Sequence, residues 1–389
     1  MSALPSKIVR TPRRDTIQIP FVDLKAQYLS IREEINEAIK EVLHSAQFVN
    51  GKWVEGFEQE FADYLGVPYI VGVGSGTAAL ELALKTAGIG AGDEVIVPAN
   101  TFFATAEAVS NVGATPVFAD VDPQTFHLDA AYTEAVITPR TRAVIPVHLF
   151  GRAMDLRNIE QLAERHGLTI IEDAAQAHGV VHGNTKIGAS GRLTCFSFYP
   201  GKNLGAYGDA GAVACSQPRH FETLRLLRDH GSPSKYQHSI VGTNSRMDAI
   251  QAAVLSIKLR HLDRWNAQRV EHAGYLRRGL AATSIIPPET PLEGGHNFHL
   301  FVVRSNSRDD LSKFLARRNI SSGIHYPMPL HLTNAYQNLG YPGHGSLPVS
   351  EKLASEILSL PMYPELSHGQ LVHLLEVLMD FVSSGRESR

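Results

Sequence analysis

The sequence predicts an α/β fold: a mainly parallel, seven-stranded sheet covered by helices on both faces, followed by a smaller α+β unit. Three observations carry this reading. Between Tyr69 and Cys215, short apolar runs alternate with helix-like segments, the rhythm of strands buried between two helical layers. The turn Gly74-Ser75-Gly76-Thr77 runs from a strand candidate straight into a helix candidate. At 389 residues, the chain exceeds one ordinary core, which points to two units.

Taken in order, residues 1–20 read as an N-terminal arm. Lys7 to Arg14 is basic, but Asp15-Thr16-Ile17-Gln18 supplies no apolar stretch behind it, so the segment does not read as an export signal. Leu29–Leu43 and Phe57–Leu65 show amphipathic helical spacing. The strand candidates are Tyr69–Val73, Glu94–Pro98, Pro116–Asp120, Ala143–His148, Thr169–Glu172, Cys195–Phe198 and Gly211–Cys215. Helices are predicted between them at Thr77–Ala87, Ala104–Val112, Asp129–Val136 and Leu156–His166. The loop Gly231–Thr243 is polar and reads as exposed. Met247 to Leu280 keeps helical periodicity throughout, long enough to bridge two units. Beyond it come a strand at Phe298–Arg304, a helix at Asp309–Arg318 and a strand near Ser321–Tyr326. The expected division is a large domain over 21–255 and a small C-terminal domain over 256–389.

Composition narrows the function. A net charge of −3 with 19% charged residues gives no electrostatic reason to expect nucleic acid or an anionic membrane as partner. No stretch approaches the ~18 apolar residues of a membrane span. Cys195 and Cys215 lie in apolar runs with no metal spacing and read as buried thiols of a cytoplasmic protein. The 18 histidines are scattered, with no His-Glu-x-x-His pattern, so no metal site is expected.

Chemistry concentrates in two places. An apolar strand ends at Glu172-Asp173, and another runs through Phe196-Ser197-Phe198 into Lys202. A lysine that can form a Schiff base, opposite a carboxylate that can hold a pyridine nitrogen protonated, is what pyridoxal phosphate asks of a protein. Gly76 and Thr77 open a helix after a strand, where backbone N–H groups can hold a phosphate. A dinucleotide fingerprint wants glycine at position 77 and finds threonine. Phe102 follows another strand and can stack on a flat ring. Gln176 can reach the ring hydroxyl, and Ser197 the phosphate. Arg246 can pair with a carboxylate, and the segment from His325 and Tyr326 to His331 either closes over a substrate or packs as a loop. Each residue alone has an ordinary explanation: Phe102 as core, Asp173 as a strand end or helix cap, Lys202 and Arg246 as solvated cations. Their order along the chain is the signal.

These segments resemble the DegT/StrS family of nucleotide-sugar aminotransferases, on the fold type I (aspartate aminotransferase-like) scaffold. The likeness runs through Gly92–Pro98, Val147–Gly151, Glu172–Gly179, the Lys202 segment, Asn244–Arg246 and Ser359–Pro364. It implies that Lys202 carries the cofactor as a Schiff base and that Asp173 contacts the pyridine nitrogen. By the same likeness Gln176 approaches the ring hydroxyl, Phe102 stacks on the ring, and Gly76, Thr77 and Ser197 hold the phosphate. Asn244 would reach the phosphate of the other subunit's cofactor, making a homodimer with shared active sites. Tyr236, His238, His325, Tyr326 and His331 match stretches that line the sugar-nucleotide cleft in relatives.

Two departures stand out. Gly201 replaces a threonine common before the lysine, a form that resembles the branch acting on 3-keto sugars. Ser245 stands where an aromatic is frequent. Members that dehydrate their sugar have histidine at the lysine position, and this chain has Lys202. The expected activity is therefore transamination from L-glutamate to a nucleotide-linked keto-sugar, with C-3 amination of a dTDP-linked 6-deoxy-hexose ahead of C-4 amination of a dTDP or UDP sugar. A dehydratase or a non-catalytic regulator on the same scaffold are the remaining alternatives.

Overall fold

A computed structural model of the chain describes residues 17–289, 295–341 and 343–385; residues 1–16 of the expected arm lie outside the described residues. Two helices come first, α1 (Leu24–Ser45) and α2 (Lys52–Leu65). Asp23 starts α1 by accepting from the Ala26 N–H at 2.8 Å, and Gly66 ends α2 in the left-handed region.

The main sheet then assembles from β1 (Tyr69–Val73), β2 (Glu94–Pro98), β3 (Thr115–Ala119), β4 (Thr141–Val144) and β5 (Thr169–Asp173). The two-residue strands β6 (Val181–His182) and β7 (Thr185–Lys186) form a separate hairpin. β8 (Leu193–Ser197) and β9 (Gly211–Cys215) complete the sheet, in the spatial order β1-β9-β8-β5-β4-β2-β3. Pairs among β3, β2, β4, β5 and β8 are parallel, whereas β9 is antiparallel to both β8 and β1. β1 and β8 therefore run the same way, and the carboxyl ends of β1, β2, β5 and β8 share one edge.

Helices α3 (Gly76–Thr86), α4 (Phe103–Asn111), α5 (Ala130–Ala135), α6 (Arg157–His166) and α7 (Pro218–Arg228) connect or flank these strands. Val71, Val95, Ile145, Ile171 and Val213 pack with Leu80, Leu84 and Val109 in one core. The strands are near-continuous apolar runs because both faces are covered.

The predicted helix over Met247–Leu280 is two helices, α8 (Ala249–Leu259) and α9 (Leu262–Leu280). The break falls at Arg260 and His261, both of which bond Glu34 on α1. Periodicity survives the break, so the sequence pattern does not mark it. The smaller unit contains β10 (Phe301–Arg304), α10 (Arg308–Ala316), α11 (Pro348–Glu356), β11 (Ile357–Leu360) and α12 (His368–Ser383). β10 and β11 pair antiparallel over a core that includes Leu276, Phe301, Leu374 and Phe381. The strand expected near Ser321–Tyr326 is reduced to isolated bridges at Ile320 and Gly323. Pro327 and Pro329 follow at once and cannot donate to a ladder.

Candidate active site

A cavity of about 620 Å³ opens where the shared strand edge meets the smaller unit. Its lining includes Gly76, Thr77, Phe102, Asp173, Gln176, Ser197, Lys202, His325 and Tyr326, all singled out in the sequence. Asn244, Arg246, Tyr236, His238 and His331 do not line it. Arg246 pairs with Asp229 at 3.0 Å, and Asn244 bridges the Asp229 backbone. His238 meets the His230 carbonyl at 2.9 Å, on the same loop as the 84%-exposed Tyr236. His331 is buried, with Nε2 3.1 Å from Glu351.

At one end of the cavity the chain turns from β1 into α3. Ser75 caps the helix by accepting from the Ala78 N–H at 3.1 Å. The first N–H groups, those of Gly76 and Thr77, have no acceptor within the helix. Gly211 faces Val73 on one side and Ser197 on the other. A side chain at either glycine would destroy this cup. A Cβ on Gly211 would lie 2.3 Å from the Ser75 carbonyl oxygen, and one on Gly76 would lie 2.5 Å from Ser197 Cβ. Backbone N–H groups with the Thr77 and Ser197 hydroxyls suit a phosphate.

At the carboxyl end of β5, Asp173 is buried. Its Oδ2 accepts from Thr105 Oγ1 at 2.9 Å and its Oδ1 from the Ala175 N–H at 3.1 Å. It makes no ion pair among the described residues. Burial raises its pKa above the usual carboxylate range, against those two hydrogen bonds and the Lys202 charge. A buried acid with donors but no cationic partner fits a protonated heterocycle nitrogen. Burial also brings Lys202 down to about 8, opposed by Asp173, which makes its amine available near neutral pH.

Gln176 Oε1 is held by the Phe150 N–H at 2.5 Å, leaving the NH₂ group to donate; it reaches the Tyr326 hydroxyl at 3.4 Å. Phe102 lies at the cavity, 55% exposed, with its ring centroid 5.6 Å from that of Tyr326. An exposed aromatic beside these groups suits a flat ring. The residues present therefore fit pyridoxal phosphate at its phosphate, ring nitrogen, ring hydroxyl and aldehyde.

Sequence reasoning did not single out several residues that build the site. Asn203 donates to Asn266 Oδ1 at 2.8 Å, and its Oδ1 lies 3.1 Å from His299 Nδ1. Asn297 donates to the carbonyls of Gln176 and His178, each at 3.1 Å. This network ties the Lys202 loop to β5's carboxyl end and to the smaller unit. Thr105 and the buried Arg269 were also missed. Only Asn203 carried a local signal, its place beside the lysine.

A model of the DegT/DnrJ/EryC1/StrS aminotransferase family matches residues 29–379. The dTDP-3-amino-3,4,6-trideoxy-alpha-D-glucose transaminase of Streptomyces venezuelae is 48% identical over 95% of this chain and 97% of its own. The erythromycin biosynthesis sensory transduction protein EryC1 of Saccharopolyspora erythraea is 48% identical over 93% of this chain and 99% of its own. The crystal structure of S. venezuelae DesV with a ketimine intermediate superposes with a TM-score of 0.92 at 47% identity, over 94% of this chain and 99% of that one. NtdA of Bacillus subtilis, solved with bound cofactor PMP, superposes with a TM-score of 0.88 at 32% identity, over 94% and 85% of the two chains.

Proposed function

The chain belongs to the DegT/DnrJ/EryC1/StrS aminotransferase family, and from that membership we propose that it moves an amino group from L-glutamate to C-3 of a dTDP-linked 3-keto-6-deoxyhexose. The observation that carries the reading is the meeting of Lys202, Asp173, Gln176 and the Gly76–Thr77–Ser197 cup in one cavity. The C-3 assignment is supported by the relative from S. venezuelae, whose name specifies a 3-amino sugar, and by Gly201 before the lysine.

When bound, pyridoxal phosphate supplies an electron sink and a carrier for the amino group. In this reading Lys202 Nζ would anchor the cofactor, and once displaced it would take the Cα proton of the amino donor and return it at the cofactor's aldehyde carbon. Its lowered basicity suits that exchange, because the amine sheds its proton near neutral pH. Asp173 holds the ring nitrogen in its cationic form. Gln176, its carbonyl fixed by Phe150, directs an N–H at the ring hydroxyl. Phe102 covers the ring, and the cup at α3 holds the phosphate. His325 and Tyr326 face the same space from the smaller unit and are assigned to the sugar nucleotide.

Tyr236, His238, Arg246, Asn244 and His331 are assigned by family likeness to the substrate cleft and the shared part of a homodimer. Asn50 donates to Asp229 at 3.0 Å, so the exposed Phe48 and Val49 adjoin the segment leading to Tyr236 and Val241, which are also exposed. An apolar patch there suits a second copy. No helix among the described residues is long and apolar enough to cross a membrane. The unpaired, buried Cys195 and Cys215 support a reducing compartment, the cytoplasm.

The test is to add L-glutamate to the cofactor-loaded protein, then a panel of 3-keto and 4-keto nucleotide sugars. Release of 2-oxoglutarate followed by amination of the 3-keto substrate is expected. Release with amination of 4-keto sugars alone would move the product to C-4, and no release would overturn the donor half.

A further inference from the structure

Asp173 is the acid on which the proposed cofactor contact depends, and its surroundings work against its charge. It is buried at 6% exposure, and burial favours the neutral acid. The titratable groups facing it are Lys202 from the loop after β8, His148 after β4, Cys195 on β8 and Tyr326 of the smaller unit. None of these donates a hydrogen bond to its carboxylate oxygens among the described residues. The two donors are the Ala175 N–H on Oδ1 and the Thr105 hydroxyl on Oδ2. The backbone donor is fixed by the fold; the hydroxyl is a choice of side chain.

Thr105 has a second contact that fixes its direction. Its Oγ1 lies 3.1 Å from Thr101 Oγ1. A hydroxyl has one proton, and an ionised carboxylate can only accept. Thr105 therefore donates to Asp173, and Thr101 donates to Thr105. Thr105 is buried at 0% exposure, and Thr101, at 2%, lies at the cavity wall. Thr101 precedes the N-cap of α4 and Thr105 lies in its first turn, where the helix dipole also favours an anion. The same turn presents Phe102, the N-cap of α4.

We propose that Thr105 is a positioning residue for the cofactor: its hydroxyl, oriented by Thr101, keeps the Asp173 carboxylate anionic and fixed in rotation inside the cavity. The inference rests on the assignment of Asp173 to the ring nitrogen made above. A threonine that merely filled space would be replaced by valine at no cost, since the two side chains have one shape.

The experiment measures the affinity of each protein for pyridoxal phosphate by absorbance titration across pH from about 5 to 9. Affinity falls as Asp173 takes up its proton and, in the same window, as Lys202 takes up its own; Lys202 is common to all the variants, so the difference in midpoint between them reports the change at Asp173. In Thr105→Val the midpoint moves to higher pH, and affinity at the acid end drops about ten-fold, the size expected for one lost bond to a charged group. Thr105→Ser follows the wild type. Thr101→Val shifts the midpoint the same way by less, and decides the matter if Thr105→Val does not fold. Midpoints unmoved in both valine variants, or a serine variant that behaves like valine, would overturn the inference. Asp173→Asn separates the two claims. If it loses affinity while the valine variants do not, only Thr105 is misassigned; if it binds as the wild type does at every pH, the role of Asp173 itself is wrong.

Discussion

The ammonium of Lys258, on α8, donates to the carbonyl of Gly205 at 2.6 Å, in the loop that presents Lys202. On the same helix, Gln251 accepts from the Tyr207 N–H at 2.8 Å. α8 thus grips the lysine loop at two points. Lys258 is buried at 1% exposure, and burial lowers its pKa to about 7, against the charge of Glu365.

That lowering has a stability signature. An unfolded lysine titrates near ~10.4, so between about 7 and 10 the unfolded chain holds the extra proton. Stability from this group therefore rises with pH across that window. Lys258→Met removes the slope. In urea denaturation at pH ~7 and ~9, the wild type should gain on the variant by on the order of 1–2 kcal/mol. An equal difference at the two pH values would show that Lys258 is not held in a low-dielectric site.

Lys202→Ala should fold and still hold pyridoxal phosphate through the cup at α3, because Lys202 is no part of the group of residues assigned to the phosphate. The visible band of a lysine-linked cofactor should vanish and transamination fall by several orders of magnitude. A retained band would place the covalent link on another amine.

Gly76→Ala should damage the cup alone. Its Cβ would sit 2.5 Å from Ser197 Cβ, which forces the turn apart at a cost of roughly 1–3 kcal/mol. Cofactor affinity should fall ten-fold or more, and the thermal transition of the apoprotein should drop by a few degrees. Undiminished affinity would mean that the phosphate binds elsewhere.

Asn203→Leu should destabilise the junction between the Lys202 loop and the smaller unit. It strips the donor from Asn266 Oδ1 and the partner from His299 Nδ1. Leaving buried polar groups unpaired costs roughly 1–3 kcal/mol each. A lower urea midpoint with a less stably held cofactor is expected, and an unmoved midpoint would remove the network from the account.

The sheet and the chemistry-bearing strand ends were legible because both are written locally. Apolar runs such as Tyr69–Val73 and Gly211–Cys215 end at turn residues and match their strands without shift. Asp173 ends β5, the Gly76–Thr77 turn comes just after β1 and Lys202 lies in the loop after β8, so their placement at one edge follows from a parallel sheet. What was illegible is long-range. At the break, His261 meets Glu34, more than two hundred residues earlier. Thr105 meets Asp173 across 68 positions, and Asn297 meets the Gln176 carbonyl across 121. His331 Nε2 meets Glu351 at 3.1 Å, a contact that periodicity does not encode.

The most direct measurement is reductive trapping. Borohydride treatment of the cofactor-loaded protein, followed by proteolysis and mass spectrometry, should find the pyridoxyl group on the peptide containing Lys202 and on no other. A label on a different lysine, or none, would contradict the assignment on which the catalytic account is built.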